Sequence, residues 1–188
     1  MKRSQVNKAF LNAKAFFEEN KWAILPGFKW DITDFGLGDF NEYGLTLINL
    51  AEEKEYCEKL MYAHKNQKTP AHLHKKKKED IICRQGILSI KFWKEGAAPS
   101  DEGTLEVKVN GEFRNIPSGS VITLQPGERA TILQGQWHEF WPETAECIIS
   151  EVSTANDDVN DNFFFNENVG RFSQMEEDEA PLVKLVSD

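Results

Sequence analysis

The sequence has few cysteines, and their arrangement excludes two common kinds of site. Cys57, Cys83 and Cys147 are three in number and far apart, and none belongs to a Cys-x-x-Cys pair. Widely spaced cysteines in odd number argue against a disulfide framework, and the lack of pairs argues against a zinc site built from thiolates. We therefore expect reduced thiols in a reducing compartment, with the cytoplasm as the location.

The sequence also lacks long apolar runs and carries a deficit of positive charge. Residues 1–11 contain two early basic residues but no long apolar stretch, so we expect neither a signal peptide nor a transmembrane span. Lysine and arginine number 22 against 31 acidic residues, which gives a formal net charge of −9. This charge argues against nucleic acid or an anionic membrane as a partner. With 188 residues, 40% of them hydrophobic, the chain is expected to form one globular domain.

Histidine is scarce as well, since the chain has only 4, yet two of them stand in one His-x-His unit. His72 and His74 project from the same face of a predicted strand, because side chains alternate in β structure. Glu79 follows a run of lysines, and Gly86 follows Glu79 after six intervening residues. Imidazole and carboxylate together suit a divalent transition metal. One more ligand is needed, and only two other histidines are present.

The pattern of apolar residues predicts one helix followed by many short strands. Residues 4–20 are predicted to form a helix that begins at Ser4, whereas residues 30–43 have no clear period and are predicted to be a loop. Asn110-Gly111 is a strong hairpin signal, and Gly86 interrupts a long strand predicted over 80–94. The other predicted strands cover residues 45–50, 58–64, 105–109, 112–114, 121–124, 131–133, 138–141 and 145–152. This order indicates an all-β sandwich or barrel with an N-terminal helix.

A second run of residues completes the predicted metal site. Gly127, Gly135 and His138 stand at the spacing of the second cupin motif, and the His-x-His run fits the first cupin motif. Leu133 replaces the proline of the second motif and Pro142 replaces a frequent asparagine, but neither position is a ligand. The chain therefore resembles the cupins. The resemblance implies a double-stranded β-helix with a metal centre formed by His72, His74, Glu79 and His138.

The same resemblance implies a single cupin domain over residues 1–188. A helical extension is expected over about residues 1–30, the barrel over about 44–155 and a C-terminal tail over 156–188. Jelly-roll barrels of this type leave an interior large enough for a small ligand.

A closer resemblance, to the D-lyxose isomerases, covers most of the chain. It rests on short matching segments at residues 56–59, 69–74, 137–138, 150–158, 161–163 and 170–172. Members of this family are metal-dependent cupin enzymes that interconvert D-lyxose and D-xylulose, with D-mannose and D-fructose as a usual second pair. The resemblance implies manganese as the metal, with zinc, cobalt, iron and nickel as alternatives. It also implies a homodimer and a small free aldose or ketose as the partner.

Active-site roles for residues outside the metal group follow from this resemblance. Lys59 and Lys77 are implied to be active-site lysines, and Glu151 is implied to be an active-site carboxylate. In the tail, Asp161 and Arg171 match residues of the family's site. The other three lysines of the run at 75–78 are expected to be solvated.

The chemistry of the implied reaction explains these residue types. Aldose–ketose isomerisation moves a hydrogen between C1 and C2, so an enolate-like oxygen must be stabilised. A metal with four protein ligands has open positions for two neighbouring sugar oxygens and would stabilise an ene-diolate as a Lewis acid. Glu151 would carry the proton, and Lys59 would neutralise the developing charge. A hydride shift would use the same metal, and the sequence leaves both routes open.

Other functions remain open at this point. The same ligand set carries iron in cupin dioxygenases and manganese in oxalate-degrading cupins, although those enzymes need no lysine–glutamate pair. A cupin can also bind a sugar without turnover, and phosphosugar isomerases occur among cupins. We favour a free sugar because no arginine cluster for phosphate is identifiable. The aromatic triplet Phe163–Phe165 either closes the site or packs against a second subunit, and we favour the second subunit.

Overall fold

The computed structural model is a β barrel of two facing sheets with a helix on one outer face. It describes residues 1–154, 156–157, 160–170 and 174–188. In chain order, the helices and strands are α1 (Arg3–Glu19), β1 (Trp30–Thr33), α2 (Phe40–Tyr43), β2 (Leu45–Glu52), β3 (Tyr56–His64), β4 (His72–Leu73), β5 (Glu79–Gln85), β6 (Leu88–Trp93), β7 (Thr104–Val109), β8 (Glu112–Pro117), β9 (Ser120–Leu124), β10 (Arg129–Ile132), β11 (Trp137–Pro142), β12 (Glu146–Thr154) and β13 (Phe163–Phe164). These elements confirm the all-β class and the N-terminal helix.

The two sheets enclose the core between their inner faces. The larger sheet has the strand order β1-β2-β3-β12-β5-β10-β7-β8, and the smaller has the order β13-β4-β11-β6-β9. Inward side chains such as Met61, Ile81, Phe92 and Ile149 are buried in one apolar cluster. The strand order makes β5 a neighbour of β12 and β4 a neighbour of β11, so the candidate site residues on these four strands converge inside the barrel.

Helix α1 covers the outer face of the larger sheet. Val6, Ala13 and Phe17 are buried in a second apolar cluster that includes Trp30 and Tyr62. This apolar stripe is the one that the helical spacing predicted. The helix therefore closes the outer side of β1, β2 and β3, and it leaves their inner faces to the barrel interior.

The predicted start of α1 was wrong by two residues. Lys2, not Ser4, is the N-cap of the helix. The backbone N–H and the hydroxyl of Ser4 instead donate to the two carboxylate oxygens of Asp178, at 2.9 Å and 2.7 Å. The C-terminal segment returns to this end of the helix, and it provides the acceptor that Ser4 would otherwise have provided for the helix itself.

Two further segments differ from their predictions. Residues 30–43, predicted to be a loop, contain β1 and α2. A strand of four residues gives too little alternation to be recognised, and its inward side chains are polar. The strand predicted over 80–94 is two strands in different sheets. The chain turns between them at Gly86, which has φ +85° and where a Cβ atom would lie 2.5 Å from Thr144 Oγ1.

The predicted hairpin agrees with the structure. Asn110 and Gly111 both have positive φ, at 53° and 89°, as a two-residue hairpin between β7 and β8 requires. All three cysteines lie in the described part of the chain as buried thiols. Among the described residues, no helix is long and apolar enough to cross a membrane.

Candidate metal centre and active site

Three histidines and one glutamate meet inside the barrel, as the two motifs predicted. His72 on β4 pairs directly with His138 on β11, His74 lies just after β4, and Glu79 begins β5. One ligand atom from each residue lies within 4.8 Å of the others. A single ion with bonds of about 2.0–2.2 Å holds its ligands no more than about 4.4 Å apart, so the group is close to the required size.

Each histidine ring is oriented by a backbone carbonyl. His72 Nδ1 lies 2.8 Å from Pro70 O, His74 Nδ1 lies 2.8 Å from Asp161 O, and His138 Nδ1 lies 3.2 Å from Gln136 O. Because a carbonyl only accepts, each Nδ1 must carry the hydrogen, which leaves a lone pair on each Nε2. Nδ1–H bonds of this kind are typical of histidines that bind metal through Nε2.

The burial of these nitrogens tests whether the group fits a metal. His74 Nε2 and His138 Nε2 are buried and have no hydrogen-bond partner, although both face Glu79 Oε1, at 3.5 Å and 3.1 Å. Buried nitrogens without a donor or acceptor are costly unless something else binds them. A divalent cation would satisfy both lone pairs and the carboxylate, so the residues fit a metal.

The electrostatics of the group favour the forms that bind metal. Burial lowers the pKa of His72 well below its usual value, and the nearby His138 and His74 lower it further. Burial alone would raise the pKa of Glu79, but the charge of Lys77 and the neighbouring histidines hold it well below its usual range. His72 therefore offers a neutral imidazole, and Glu79 offers an ionised carboxylate.

A buried cluster of lysines and glutamates adjoins the metal group. Lys77 Nζ lies 2.6 Å from Glu79 Oε2 and 2.9 Å from Glu151 Oε1. Lys59, the register partner of Glu151 on β3, approaches the same carboxylate oxygen at 3.6 Å and donates to Asn156 Oδ1 at 3.2 Å. Burial lowers the pKa of Lys77, but the charges and hydrogen bonds of the two glutamates outweigh burial and raise it above its usual value. Lys77 is therefore a stable cation that joins a metal ligand to a second carboxylate.

The other lysines of the run face solvent. Lys75, Lys76 and Lys78 are exposed and only Lys77 is buried, as predicted. The difference arises because Lys77 lies two residues before Glu79, so both side chains point into the barrel as the chain enters β5.

Asp161 supports the backbone of the lysine run through hydrogen bonds. Its carboxylate accepts from the backbone N–H groups of Lys75, Lys76 and Lys77, at 2.8–3.1 Å. Its own carbonyl accepts from His74 Nδ1. The side chain is buried but is not part of the cavity wall. The structure therefore places Asp161 behind the site, where it orients His74 and the lysine run.

Arg171, the remaining residue that the resemblance implied, lies outside the described residues. His64, which neither motif includes, is at the far end of β3, where its Nδ1 contacts Lys65 O at 3.1 Å. Of the four histidines, three therefore form the centre and the fourth does not.

A cavity of about 90 Å³ opens in front of the metal group. Sequence reasoning missed part of its wall. Asp31, Thr33 and Phe35 come from the segment predicted to be a loop, and Asn162 and Phe164 come from the tail. The alternation Trp-Asp-Ile-Thr is the signal for the strand that carries Asp31 and Thr33, but it is too short to be recognised from the sequence. For the tail, no local pattern indicates which residues turn inward.

One ring of the aromatic triplet Phe163–Phe165 lies at this cavity. Phe164 pairs with His72 in the sheet, and its ring lies 5.5 Å from the His72 ring, between centroids. Phe163 joins Leu73 and two tryptophans in an apolar cluster on the outside of the smaller sheet, and Phe165 is exposed. The three rings therefore have three different surroundings, and only Phe164 lines the site.

Solved structures share this fold. The L-ribose isomerase of Geodermatophilus obscurus matches with a TM-score of 0.74 at 15% sequence identity, covering 94% of this chain and 98% of that one. The L-ribose isomerase of Cellulomonas parahominis, solved with L-psicose, matches over the same shares with a TM-score of 0.73 at 16% identity. At such low identity the likeness shows the fold alone, and it confirms the predicted cupin barrel.

Sequence comparison identifies the family. Residues 27–188 match the family model described as D-lyxose isomerase. A D-lyxose/D-mannose isomerase of Serratia proteamaculans is 38% identical over 167 residues, which cover 81% of this chain and 72% of the relative. Another, from Escherichia coli O157:H7, is 31% identical over 227 residues, which cover 100% of this chain and 98% of the relative. The chain is therefore an isomerase and belongs to the D-lyxose isomerase family.

Proposed function

We propose that the protein interconverts D-lyxose and D-xylulose, and also D-mannose and D-fructose, in a metal-dependent reaction. The names of the relatives support these substrates. The observation that carries the proposal is the position of Glu151, a buried carboxylate held by Lys77 next to a set of metal ligands. An isomerase that works by proton transfer needs a proton carrier beside a polarised carbonyl, and the position of Glu151 supports this role.

The metal of the proposal is a divalent cation held by His72, His74, Glu79 and His138. When bound, it would polarise the carbonyl and hydroxyl oxygens at C1 and C2 of the sugar. We propose manganese, while zinc, cobalt, iron and nickel are compatible with the same nitrogen and oxygen donors.

The chain's own residues would move the proton. Glu151 takes the hydrogen from C2 of the aldose as a proton and delivers it to C1, so one carboxylate serves as base and then as acid. The hydroxyl proton of O2 passes to O1 in the same reaction, so the carbonyl moves from C1 to C2. Lys59 and Lys77, both within 4 Å of Glu151, hold its carboxylate in place. Lys59 would also donate a hydrogen bond to the sugar oxygen on which negative charge develops.

The charges in the cavity favour a free sugar over a phosphosugar. Lys59 and Lys77 are the only cations among the described residues of its wall, and both contact carboxylates. A phosphate needs positive charge or bidentate donors. The proposed partner is therefore an unphosphorylated aldose or ketose, without nucleic acid or a membrane.

We also propose a homodimer in the cytoplasm. The exposed ring of Phe165, beside Trp137 at 6.3 Å between centroids, supports a contact with a second copy on this side of the barrel. The buried thiols support a reducing compartment.

The test begins with metal-free protein. It is incubated with D-lyxose and D-mannose, with and without manganese, and the ketose is measured. Activity restored by manganese, and lost in Glu79→Gln and Glu151→Gln, is the expected result. Glu58→Gln is the matched control, because Glu58 lies next to Lys59 on β3 but outside the cavity wall.

Two results would contradict the proposal. Absence of ketose from both sugars, with metal stoichiometrically bound, would exclude the isomerase reaction on these substrates. Oxygen consumption that depends on the metal would move the dioxygenase alternative to first place.

A further inference from the structure

The last strand of the larger sheet has an open edge. Strand β8 (Glu112–Pro117) pairs with β7 on one side, and no strand of the described residues pairs with its other side. The two strands stay in register through six consecutive pairs, without a bulge that would bend the edge away. The strand at the opposite end of the sheet, β1, is covered, because Trp30 exchanges backbone hydrogen bonds with Lys184 and Val186. The edge of β8 is therefore the end of the larger sheet that another strand can extend.

The hairpin turn determines which groups of β8 face this open side. In a two-residue turn the pair that closes the turn shares backbone hydrogen bonds, and here that pair is Val109 and Glu112. Hydrogen-bonded and non-hydrogen-bonded pairs alternate along an antiparallel ladder. The N–H and C=O groups of Phe113 and Asn115 therefore point away from β7. Residues 112–115 are all exposed, so these groups are accessible to a partner strand.

The side chains of this edge are complementary to a second copy of the same edge. An antiparallel copy centred on Phe113 places this residue opposite its own equivalent, and the outward N–H and C=O groups of the two residues then meet. The same register places Glu112 of each copy opposite Arg114 of the other. Residues directly opposite each other lie on one face of the sheet, where opposite charges stabilise the pairing.

Neighbouring registers are less favourable. A copy centred on Arg114 places two arginines opposite each other, and like charges at such positions destabilise a sheet. A copy centred on Asn115 places Phe113 opposite Pro117, which has no N–H to donate. The charges and the proline therefore select the register centred on Phe113.

Phe113 provides the apolar part of this surface. Its side chain is 56% exposed, and Nζ of Lys108, its register partner on β7, lies 5.3 Å from the ring centroid. Aromatic side chains that meet across two strands stabilise a sheet. Pairing of two edges would cover the ring of Phe113 with its equivalent and leave both lysines at the outside of the contact.

We infer that two copies of this chain associate by antiparallel pairing of their β8 edges about a two-fold axis at Phe113, which joins their larger sheets into one. Such a contact uses the same surface on both copies and is closed at two. It is separate from the side of Phe165, which follows β13. Strand β13 and the strand after β8, β9, are the two opposite ends of the smaller sheet. The inference concerns assembly and does not depend on the proposed reaction.

The experiment measures molar mass by analytical ultracentrifugation over a range of protein concentrations, for the wild type and three variants of the whole chain. Arg114→Glu places like charges opposite each other in both symmetric pairs. Addition of Glu112→Arg to this variant restores opposite charges with their signs exchanged. Lys8→Glu, on the exposed side of α1, makes the same change of net charge as Arg114→Glu and is the matched control. The melting temperature is recorded for every variant.

We expect the wild type and Lys8→Glu to associate equally. Arg114→Glu should raise the dissociation constant of the contact at least about tenfold, so that its molar mass is half that of the wild type at a concentration where the wild type is associated. The double variant should recover the association. If the contact at Phe165 also forms, these masses correspond to four copies for the wild type and two for Arg114→Glu; otherwise they correspond to two copies and one.

Hydrogen exchange tests the location of the contact in the wild type itself. The amides of residues 113 and 115 should exchange more slowly at high protein concentration than at low concentration, because their N–H groups are bonded only in the associated form. A monomeric wild type, an unchanged mass of Arg114→Glu, a folded double variant that does not associate, or exchange at β8 that is independent of concentration would each overturn the inference. None of these measurements uses ketose formation, so failure of the proposed function is a separate result.

Discussion

The carbonyl oxygen of Asp161 lies 2.8 Å from Nδ1 of His74, across 87 positions of the chain. The same residue's carboxylate receives the N–H groups of the lysine run. Asp161 therefore fixes His74 of the candidate metal group and the backbone that carries Lys77.

The first prediction concerns Asp161→Asn. The amide NH₂ would face the N–H groups that now point at the carboxylate, so the lysine run and the His74 ring should lose their support. Metal affinity, measured by competition with a chelator, should fall about 10- to 100-fold, as is typical when a partner of a metal ligand is lost. Glu167→Gln, an exposed change in the same segment, is the control. Unchanged metal affinity in Asp161→Asn would contradict the role assigned to it.

The second prediction concerns Glu151→Gln. The amide keeps the shape of the side chain but cannot carry a proton, so kcat for D-lyxose should fall by about 10²–10⁴. Metal binding should stay close to that of the wild type, because Glu151 is not a ligand. The decisive comparison is between the loss of kcat and the loss of metal affinity in Glu151→Gln. Equal losses of kcat and metal affinity would place Glu151 in the metal centre instead.

The third prediction concerns Lys77→Met. Without the Lys77 ammonium, the negative charges of two buried carboxylates, Glu79 and Glu151, lose the cation that lies between them. Removing one partner of a buried ion pair costs about 3–5 kcal/mol, and metal-free Lys77→Met should be destabilised by about this amount in urea unfolding. Adding manganese should recover part of the loss, because a divalent cation would neutralise Glu79. Equal stability of the metal-free variant and wild type would show that the cluster is not coupled as described.

The fourth prediction concerns acid. Buried Arg3 contacts Glu177 at 2.6 Å and Asp188 at 3.2 Å. The hydrogen bond from Arg3 lowers the pKa of Glu177 below its usual value. Burial raises the pKa of Asp188, but the N–H of Leu185 and the Arg3 guanidinium outweigh burial and lower the pKa below its usual value. Because folded pKa values are depressed, this contribution is present above the unfolded values and is lost as the pH falls through the folded ones.

Arg3→Met should therefore be less stable than the wild type at pH 7, and the difference should shrink below about pH 4. Urea unfolding at several pH values measures it. Lys2→Met, which removes a long contact of 3.9 Å to Glu176 between two exposed side chains, should have little effect. A constant difference between Arg3→Met and wild type across the acid range would contradict the prediction.

The candidate metal ligands were predictable because their signal is local. The His-x-His unit and the two glycines before His138 match the two short cupin motifs, and this resemblance implied the ligand set. The pairing of Glu151 with Lys59 is different, since it depends on the register of β12 against β3. Only the family resemblance indicated these two residues, because no short pattern encodes a partner 92 positions away.

The residues that support the candidate site were also hard to predict, because their positions depend on contacts between distant parts of the chain. The position of Asp161 behind the lysine run depends on how the tail returns to the barrel. The inward polar face of β1 depends on an edge strand of four residues, which is shorter than the windows in which alternation is recognisable. Both features follow from closure of the barrel, and closure is a property of the whole fold.

The dependence of His74 on Asp161 also sets the order in which the site can be assembled during synthesis. Every metal ligand has left the ribosome's catalytic centre once His138 has been made, yet the ring of His74 lacks its carbonyl partner until residue 161 follows. Phe164, which covers His72, comes later still. At that stage the nascent chain therefore has all four candidate ligands but lacks the carbonyl that orients His74. Assembly of the candidate metal group in its mature geometry must wait until the tail reaches the barrel.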